Sequence, residues 1–384
     1  MTPSARIAAA IEILDAVLTG APAERVLTNW ARSNRFAGSG DRSAIRDHVY
    51  DALRRRRSHA VLGGSLTGRG LMLGALREAG AEPEAVFTGI GHAPAALSPS
   101  DAPGSMTEVD ALDLPDWLIS AFRQSLGASA EDVACALRDR APVFLRVNVA
   151  KTGRDQAIAA LADEGILTRP HPLAATSLEV VDGARKVQQS KAFLSGLVEL
   201  QDAASQAVVE ALPLRPNGRV LDYCAGGGGK TLAIAAQGVS SVYAHDAKPA
   251  RMRDLVERAK RAGAKVMLVD QPGALPAFDL VLADAPCSGS GSWRRDPQGK
   301  WALTPERLAE ICAIQSAILD RIAPLVAVDG CLAYATCSML EEENSSQIQN
   351  FMARSSGWSL IDERRFTPLS GGDGFYLALL RRVT

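Results

Sequence analysis

From residue 4 to about 90, apolar positions recur every three or four residues. Ile7, Ile11, Leu14 and Leu18 form one series and Ile45, Val49 and Leu53 another, the spacing of helices with one buried stripe. Little in this stretch alternates with period two, so an all-α unit is expected over 1–90. "GHAPAALSPSDAPGSM", 91–106, concentrates Gly, Pro, Ser and Ala and reads as a linker. Helical patterning resumes at "DLPDWLISAF" and runs to about 140. "VFLRVNVAK" (143–151) then reads as a strand, 154–164 as a helix and "TSLEVV" (176–181) as another strand. A helical and small α+β segment is therefore expected over 107–200.

From 201 to 384 the rhythm changes to strand, helix, strand. The predicted strands are 219–223, 241–246, 265–270, 278–284, 331–337, 359–364 and 375–382. Such alternation predicts an α/β domain with a Rossmann-like, doubly wound parallel sheet, whose ligands lie outside the carboxyl ends of the strands.

Composition narrows the class. The chain has 384 residues, 47% hydrophobic and 22% charged, with a formal net charge of −1. That charge gives no global attraction to nucleic acid, so any such binding must come from a local patch. Glu12 and Asp15 interrupt the apolar run at the amino end, which argues for an amphipathic helix over a signal peptide. No uncharged apolar run is long enough to span a membrane, so a soluble protein is expected. Six scattered cysteines form no C-x-x-C pair, so no metal is expected, and free thiols suit a reducing cytoplasm.

The candidate chemistry gathers at strand ends. Asp222 closes the first strand of the α/β domain, and "LDYCAGGGGKT" (221–231) follows it into a helix. A triphosphate loop would need a glycine where Cys224 stands. A dinucleotide loop would need its third glycine at Thr231. Asp246 ends the second strand, 24 residues after Asp222, where a carboxylate can receive ribose hydroxyls. Asp270 ends the third strand and is a candidate for an adenine amino group. Each aspartate alone equally suits a helix cap or a turn; three around one glycine loop favour an adenosine-containing ligand.

"DAPCSGSG" (284–291) follows the fourth strand and "ATCSM" (335–339) the fifth. Neighbouring strands lie about 4.8 Å apart, so Cys287 and Cys337 should converge at one crevice. A thiol, a carboxylate at Asp284 and an adenosine cofactor suit methylation at carbon 5 of a pyrimidine. That carbon is too weakly nucleophilic until a thiolate adds at carbon 6. A nicotinamide dehydrogenase would share the sheet but give two converging thiols no role.

These motifs resemble the Nol/Nop/Sun family of RNA cytosine-5 methyltransferases. "LDYCAGGGGKT", "DAPCSGSGSWRRDPQGKW", "YATCSMLEEEN" and "DGFYLALLRR" match in order and spacing, and "LRVN" and "LQDAASQ" are similar to its pre-catalytic segment. The resemblance covers about 143–384. It implies that Cys337 is the nucleophile, Cys287 assists product release and Asp284 stabilises the base at N3. It further implies that Cys224, Ala225, Gly226, Gly227, Gly228, Gly229, Lys230, Asp246, Asp270 and Asp284 hold S-adenosylmethionine. Gly226-Gly227 stands where the family usually has Ala-Pro, so a more flexible loop is expected.

Residues 34–58, "NRFAGSGDRSAIRDHVYDALRRRRS", carry a resemblance to a NusB-like RNA-binding domain that covers about 1–90. Arg54, Arg55, Arg56 and Arg57 project around a helix and are candidates for phosphate contacts, with Asp47 and Asp51 as alternative partners. Arg294 and Arg295 follow the Cys287 loop and are further candidates, and Trp293 and Trp301 are candidates for base stacking. The expected function is cytosine-5 methylation of RNA, 16S ribosomal RNA first, by a cytoplasmic monomer. Transfer RNA is the alternative substrate, and a catalytically idle RNA-binding assembly factor the alternative class.

Overall fold

The computed structural model describes residues 1–383, which form two compact units. One comprises Met1–Arg123, Gly127–Arg140 and Trp293–Ala302; the other comprises Gln124–Leu126, Ala141–Ser292 and the chain from Leu303 onward. No described helix is long and apolar enough to cross a membrane.

The first unit is helical, as its periodicity predicts. Thr2 caps the helix Pro3–Leu18 by accepting from Ala5 N–H, and Thr67 caps Gly68–Glu78 by accepting from Gly70 N–H. The core takes Ile7, Leu14, Ile45, Val49 and Leu53 from the predicted stripes, with Ile11 and Leu18 partly buried against it, and adds Leu71. Gly74 lets the last of these helices approach the preceding helix, Arg56–Leu62, since a Cβ there would sit 2.0 Å from the His59 carbonyl oxygen. The segment read as a linker, 91–106, is tied down at two points. Arg69 Nε donates to Asp101 Oδ1 at 2.9 Å, and Gly104 N–H donates to the Val61 carbonyl at 2.8 Å. Residues 107–123 and 127–140 group with this helical unit. Asp113 explains part of that: fully buried, it accepts from Arg57 N–H, Ser58 N–H and the Ser58 hydroxyl.

The second unit holds two sheets. Strands β1 (Val143–Val147), β2 (Leu167–Pro170), β3 (Ser177–Asp182) and β4 (Val198–Leu200) form an antiparallel sheet in the order β2-β3-β1-β4. Strands β2 and β4 are too short and polar to stand out in the sequence. The larger sheet contains β5 (Arg219–Asp222), β6 (Ser241–Ala244), β7 (Met267–Leu268), β8 (Phe278–Asp284), β9 (Val326–Thr336), β10 (Trp358–Phe366) and β11 (Phe375–Arg382). Their order is β10-β11-β9-β8-β5-β6-β7. The chain winds from β5 outward through β6 and β7, then crosses to β8 and β9, leaving a switch point beside β5.

The all-parallel expectation needs one correction. β5 to β9 pair in parallel, but β11 lies antiparallel between β9 and β10. The short connection 367–374 allows this, because a parallel return would need a crossover of a dozen or more residues. Both faces of the central strands are apolar. Leu280, Leu282, Ala333 and Leu377 face one core, and Val281, Ala283, Tyr334 and Tyr376 the other, as a sheet covered on both sides requires.

Candidate active site

At the carboxyl ends of β5, β6, β8 and β9 lies a cleft of about 980 Å³. The glycine loop forms one wall. Gly228 has φ +80°, and a Cβ there would meet Leu255 Cδ1 at 2.1 Å, so neither the backbone nor the space admits a side chain. Helix Gly229–Ala236 starts at this turn. Asp222 is buried beneath it and accepts from the Thr231 hydroxyl at 2.6 Å through Oδ2; its Oδ1 is buried without a protein partner. Burial pushes its carboxyl up to about 7.

The flexibility expected of Gly226-Gly227 is met by three tethers. Gly226 N–H donates to Asp246 Oδ2 at 3.0 Å, Arg258 donates to the Gly227 carbonyl, and Arg146, from "LRVN", donates to the Gly229 carbonyl at 2.7 Å. Arg146 is buried, which lowers its guanidinium to about 10, still charged at neutral pH. Asp246 also accepts from Lys248 N–H at 2.8 Å and pairs with Arg251 at 3.3 Å. It is therefore a buried loop anchor as well as a ribose candidate. Cys224, Ala225, Gly226, Gly227, Gly229, Lys230, Asp246 and Asp284 all line the cleft; Asp270 does not. Asp270 is exposed because β7 stops at Leu268, leaving it beyond the strand end.

Cys287 and Cys337 converge as the strand pairing requires, with their Sγ atoms 3.2 Å apart, and both line the cleft. The hydrogen bond to Cys337, followed by burial, pushes the Cys287 thiol well up, and either sulfur can be the donor in the pair. Asp284 Oδ2 accepts from Lys230 Nζ at 2.7 Å. The lysine is buried, with its ammonium 4.7 Å from the centre of the Phe375 ring. Thiols, a carboxylate and a buried ammonium thus share one cleft with a backbone loop able to take a nucleoside.

Two family models match the chain. One, described as 16S rRNA methyltransferase RsmB/F, spans residues 209–381; the other, an RsmF/B-like ferredoxin-like domain, spans 114–188. The ribosomal RNA small subunit methyltransferase B of Citrobacter koseri is 35% identical over 282 residues, covering 69% of this chain and 66% of the relative. The chain belongs to the RsmB/F methyltransferase family. The protein of the same name from Photorhabdus laumondii is 33% identical over 286 residues, with 70% and 66% covered. The chain thus spans 66% of the length of these relatives. Among solved structures, PH0851 covers 99% of both chains with a TM-score of 0.77 at 23% identity, a likeness of fold. A methyltransferase homolog from Pyrococcus horikoshii covers 74% of this chain and 100% of its own, with a TM-score of 0.64 and 26% identity.

The residues expected to meet RNA lie in the helical unit, and most are occupied there. Arg54 is buried and donates through Nε to the Arg294 carbonyl at 2.8 Å. Arg55 pairs with Asp51, Glu78 and Asp139, and Arg57 with Asp110 and Asp116. Arg56 lies over the Trp301 ring, 5.0 Å from its centre. None of the four is exposed, which argues against the phosphate contacts expected of Arg54–Arg57: carboxylates take the guanidinium groups of Arg55 and Arg57, a carbonyl takes that of Arg54, and the Trp301 ring takes that of Arg56. Arg294 and Trp293 are buried, and Trp301 donates to the Leu53 carbonyl at 2.7 Å, so neither tryptophan is a free stacking platform. Arg295 is exposed.

The same unit carries a basic groove that the sequence reading missed. It measures about 640 Å³ and is lined by Trp30, Arg32, Arg35, Arg42 and Arg46 over an apolar floor of Leu27 and Ile45. All four arginines are exposed, and among the described residues only Arg46 has an ion-pair partner there, Glu24 at 2.5 Å. Their spacing across two helices and the connection between them hid them from a search for charge runs.

Proposed function

We propose that this chain methylates carbon 5 of a cytosine in small-subunit ribosomal RNA, using S-adenosylmethionine and a covalent bond from Cys337 to carbon 6. The observation that carries this reading is the 3.2 Å separation of the Cys287 and Cys337 sulfurs at the cleft holding the glycine loop. The names of the curated relatives direct the substrate to small-subunit ribosomal RNA.

The cleft fits the cofactor. Its volume of about 980 Å³ suits a nucleoside-sized ligand, and Asp222 Oδ1 is a buried acceptor still lacking a donor. Asp222, Asp246 and Asp284 set an acidic lining against a ligand carrying hydroxyl donors and a sulfonium charge. When bound, S-adenosylmethionine supplies an electrophilic methyl group for carbon 5.

The protein groups supply the rest. The Cys337 thiolate bonds to carbon 6, and the electron pair of the carbon 5–carbon 6 double bond moves into the ring, making carbon 5 nucleophilic. Asp284 delivers a proton at N3, with Lys230 one hydrogen bond behind it as a source. In the second half, the hydrogen on carbon 5 leaves as a proton to a base. The carbon–sulfur bond then breaks, the double bond re-forms and N3 returns its proton. The departing Cys337 sulfur receives a hydrogen bond from Cys287, which eases its release. The chemistry requires no metal.

The helical unit is read as a NusB-like RNA holder, with Arg32, Arg35, Arg42 and Arg46 as its phosphate contacts. The reading includes a monomer working in the cytoplasm. Bisulfite sequencing of total RNA from cells with and without the gene tests the whole. Loss of one protected cytosine in small-subunit ribosomal RNA is expected. Loss in transfer RNA would move the substrate, and no loss anywhere would leave an idle RNA-binding factor.

A further inference from the structure

Behind the two sulfurs lies a carboxylate to which the mechanism above gives no role. Glu343 is 0% exposed, and among the described residues no lysine or arginine pairs with it. Four donors hold it instead. Ser288 N–H donates to Oε1 at 2.7 Å and the Ser288 hydroxyl to Oε2 at 2.5 Å. The Ser338 hydroxyl donates to Oε2, and Gln315 Nε2 to Oε1 at 3.1 Å. Ser288 directly follows Cys287, and Ser338 directly follows Cys337. Gln315 Nε2 also donates to the Pro286 carbonyl at 2.9 Å, on the other side of Cys287. One carboxylate therefore grips both cysteine loops, each at the residue next to its sulfur.

We propose that Glu343 is the positioning residue of the thiol pair: it fixes the two sulfurs within hydrogen-bond distance and keeps the proton on Cys287, leaving Cys337 as the reactive thiol. The inference rests on the assignment of Cys337 as nucleophile. Its physical basis has two parts. Hydrogen bonds to a charged acceptor are short and directional, so four of them leave the loops little freedom. A buried negative charge also opposes a second negative charge on a thiol beside it, and Glu343 acts on Cys287 in that sense. The neighbouring Asn344 extends the grip, accepting from the Thr336 hydroxyl at 2.6 Å and donating to the Ser338 carbonyl at 3.0 Å.

The test is alkylation of the free protein by iodoacetamide across a pH series, with each modified cysteine mapped by mass spectrometry. The wild type should react at Cys337 well before Cys287. Glu343→Gln keeps the shape but turns one acceptor into a donor facing two hydroxyls. It should reduce the preference roughly tenfold, the size of one pKa unit, and shift the pH profile of Cys287. Methyl transfer should lose kcat with little change in the KM for S-adenosylmethionine. A folded Glu343→Gln protein with the wild-type preference and pH profile would overturn the proposal. If that variant does not fold, Ser338→Ala removes one donor and decides the matter by the same readout. Alkylation uses neither RNA nor cofactor, so the outcomes separate. A changed preference in a protein that methylates nothing refutes the proposed function alone, and an unchanged one in an active methyltransferase refutes this inference alone.

Discussion

Lys230 Nζ lies 2.7 Å from Asp284 Oδ2, joining the start of the helix after β5 to the end of β8 across the switch point of the sheet. The lysine is buried while the aspartate opens onto the cleft. The pair thus presents one carboxylate to a ligand with a proton donor held behind it. Removing one member of a buried pair strands the other charge, at a cost of about 3–5 kcal/mol when both are fully enclosed; here the open side of Asp284 reduces that.

Asp284→Asn keeps the shape and an acceptor for Lys230 but cannot pass a proton to N3. Methyl transfer should fall by about 10²–10³, the range for losing one group that stabilises developing charge. The affinity for S-adenosylmethionine, measured by calorimetry, should change only severalfold. An Asn variant with wild-type kcat would remove Asp284 from the proton path and leave it as a partner for Lys230.

The two cysteines predict opposite phenotypes despite sharing one hydrogen bond. Cys337→Ala should abolish methyl transfer while cofactor binding persists. Cys287→Ala leaves the nucleophile but withdraws the proton donor that eases its departure. A protein–RNA species resistant to denaturing gel electrophoresis should then accumulate when RNA and cofactor are both supplied. Absence of that species would refute the release role of Cys287, and turnover by Cys337→Ala would refute the nucleophile.

Much of this site is legible in the sequence because strand ends are legible. Unbroken apolar runs such as 280–283 mark strands buried on both faces, and the first polar residue after such a run falls at the ligand edge. That logic finds Asp222, Asp246, Asp284, Cys287 and Cys337. It fails at Asp270, where the strand breaks off at Leu268 and the residue emerges exposed. It also fails for β11, since strand direction depends on where the chain returns and not on composition. Glu343 escapes because it is one of three consecutive glutamates, and only the fold reveals which one turns inward. The arginine run at 54–57 misleads for a related reason: Asp139, which pairs with Arg55, and Asp110 and Asp116, which pair with Arg57, are distant in sequence and adjacent in space.

The relocated basic surface leads to a salt experiment. Arg32→Ala, Arg35→Ala and Arg42→Ala together remove three exposed guanidinium groups from the groove. If each meets one phosphate, the slope of log K against log salt should flatten by about 2, at roughly 0.7 per single-strand phosphate. Ala replacements at Arg55 and Arg57 should instead lower the melting temperature, because they remove guanidinium partners from Glu78 and from the buried Asp110. An unchanged salt slope in the groove variant would return those arginines to an ordinary solvated surface.

Asp222 makes stability depend on pH in a stated direction. Burial raises its folded value from 3.8 to about 7, so the folded state holds a proton that the unfolded chain has released. The stabilisation is fully present below 3.8 and is lost as pH rises through about 7. Asp222→Asn stays neutral throughout, and its amide oxygen can still accept from Thr231. The variant and the wild type should therefore melt at similar temperatures near pH 4. The variant should gain progressively toward pH 8, by a few degrees for a chain of this size. The difference between the two curves isolates this carboxyl from the other titrating groups. Parallel curves across that window would mean that Asp222 is charged in the folded protein, which would require a donor to its free Oδ1 even without cofactor.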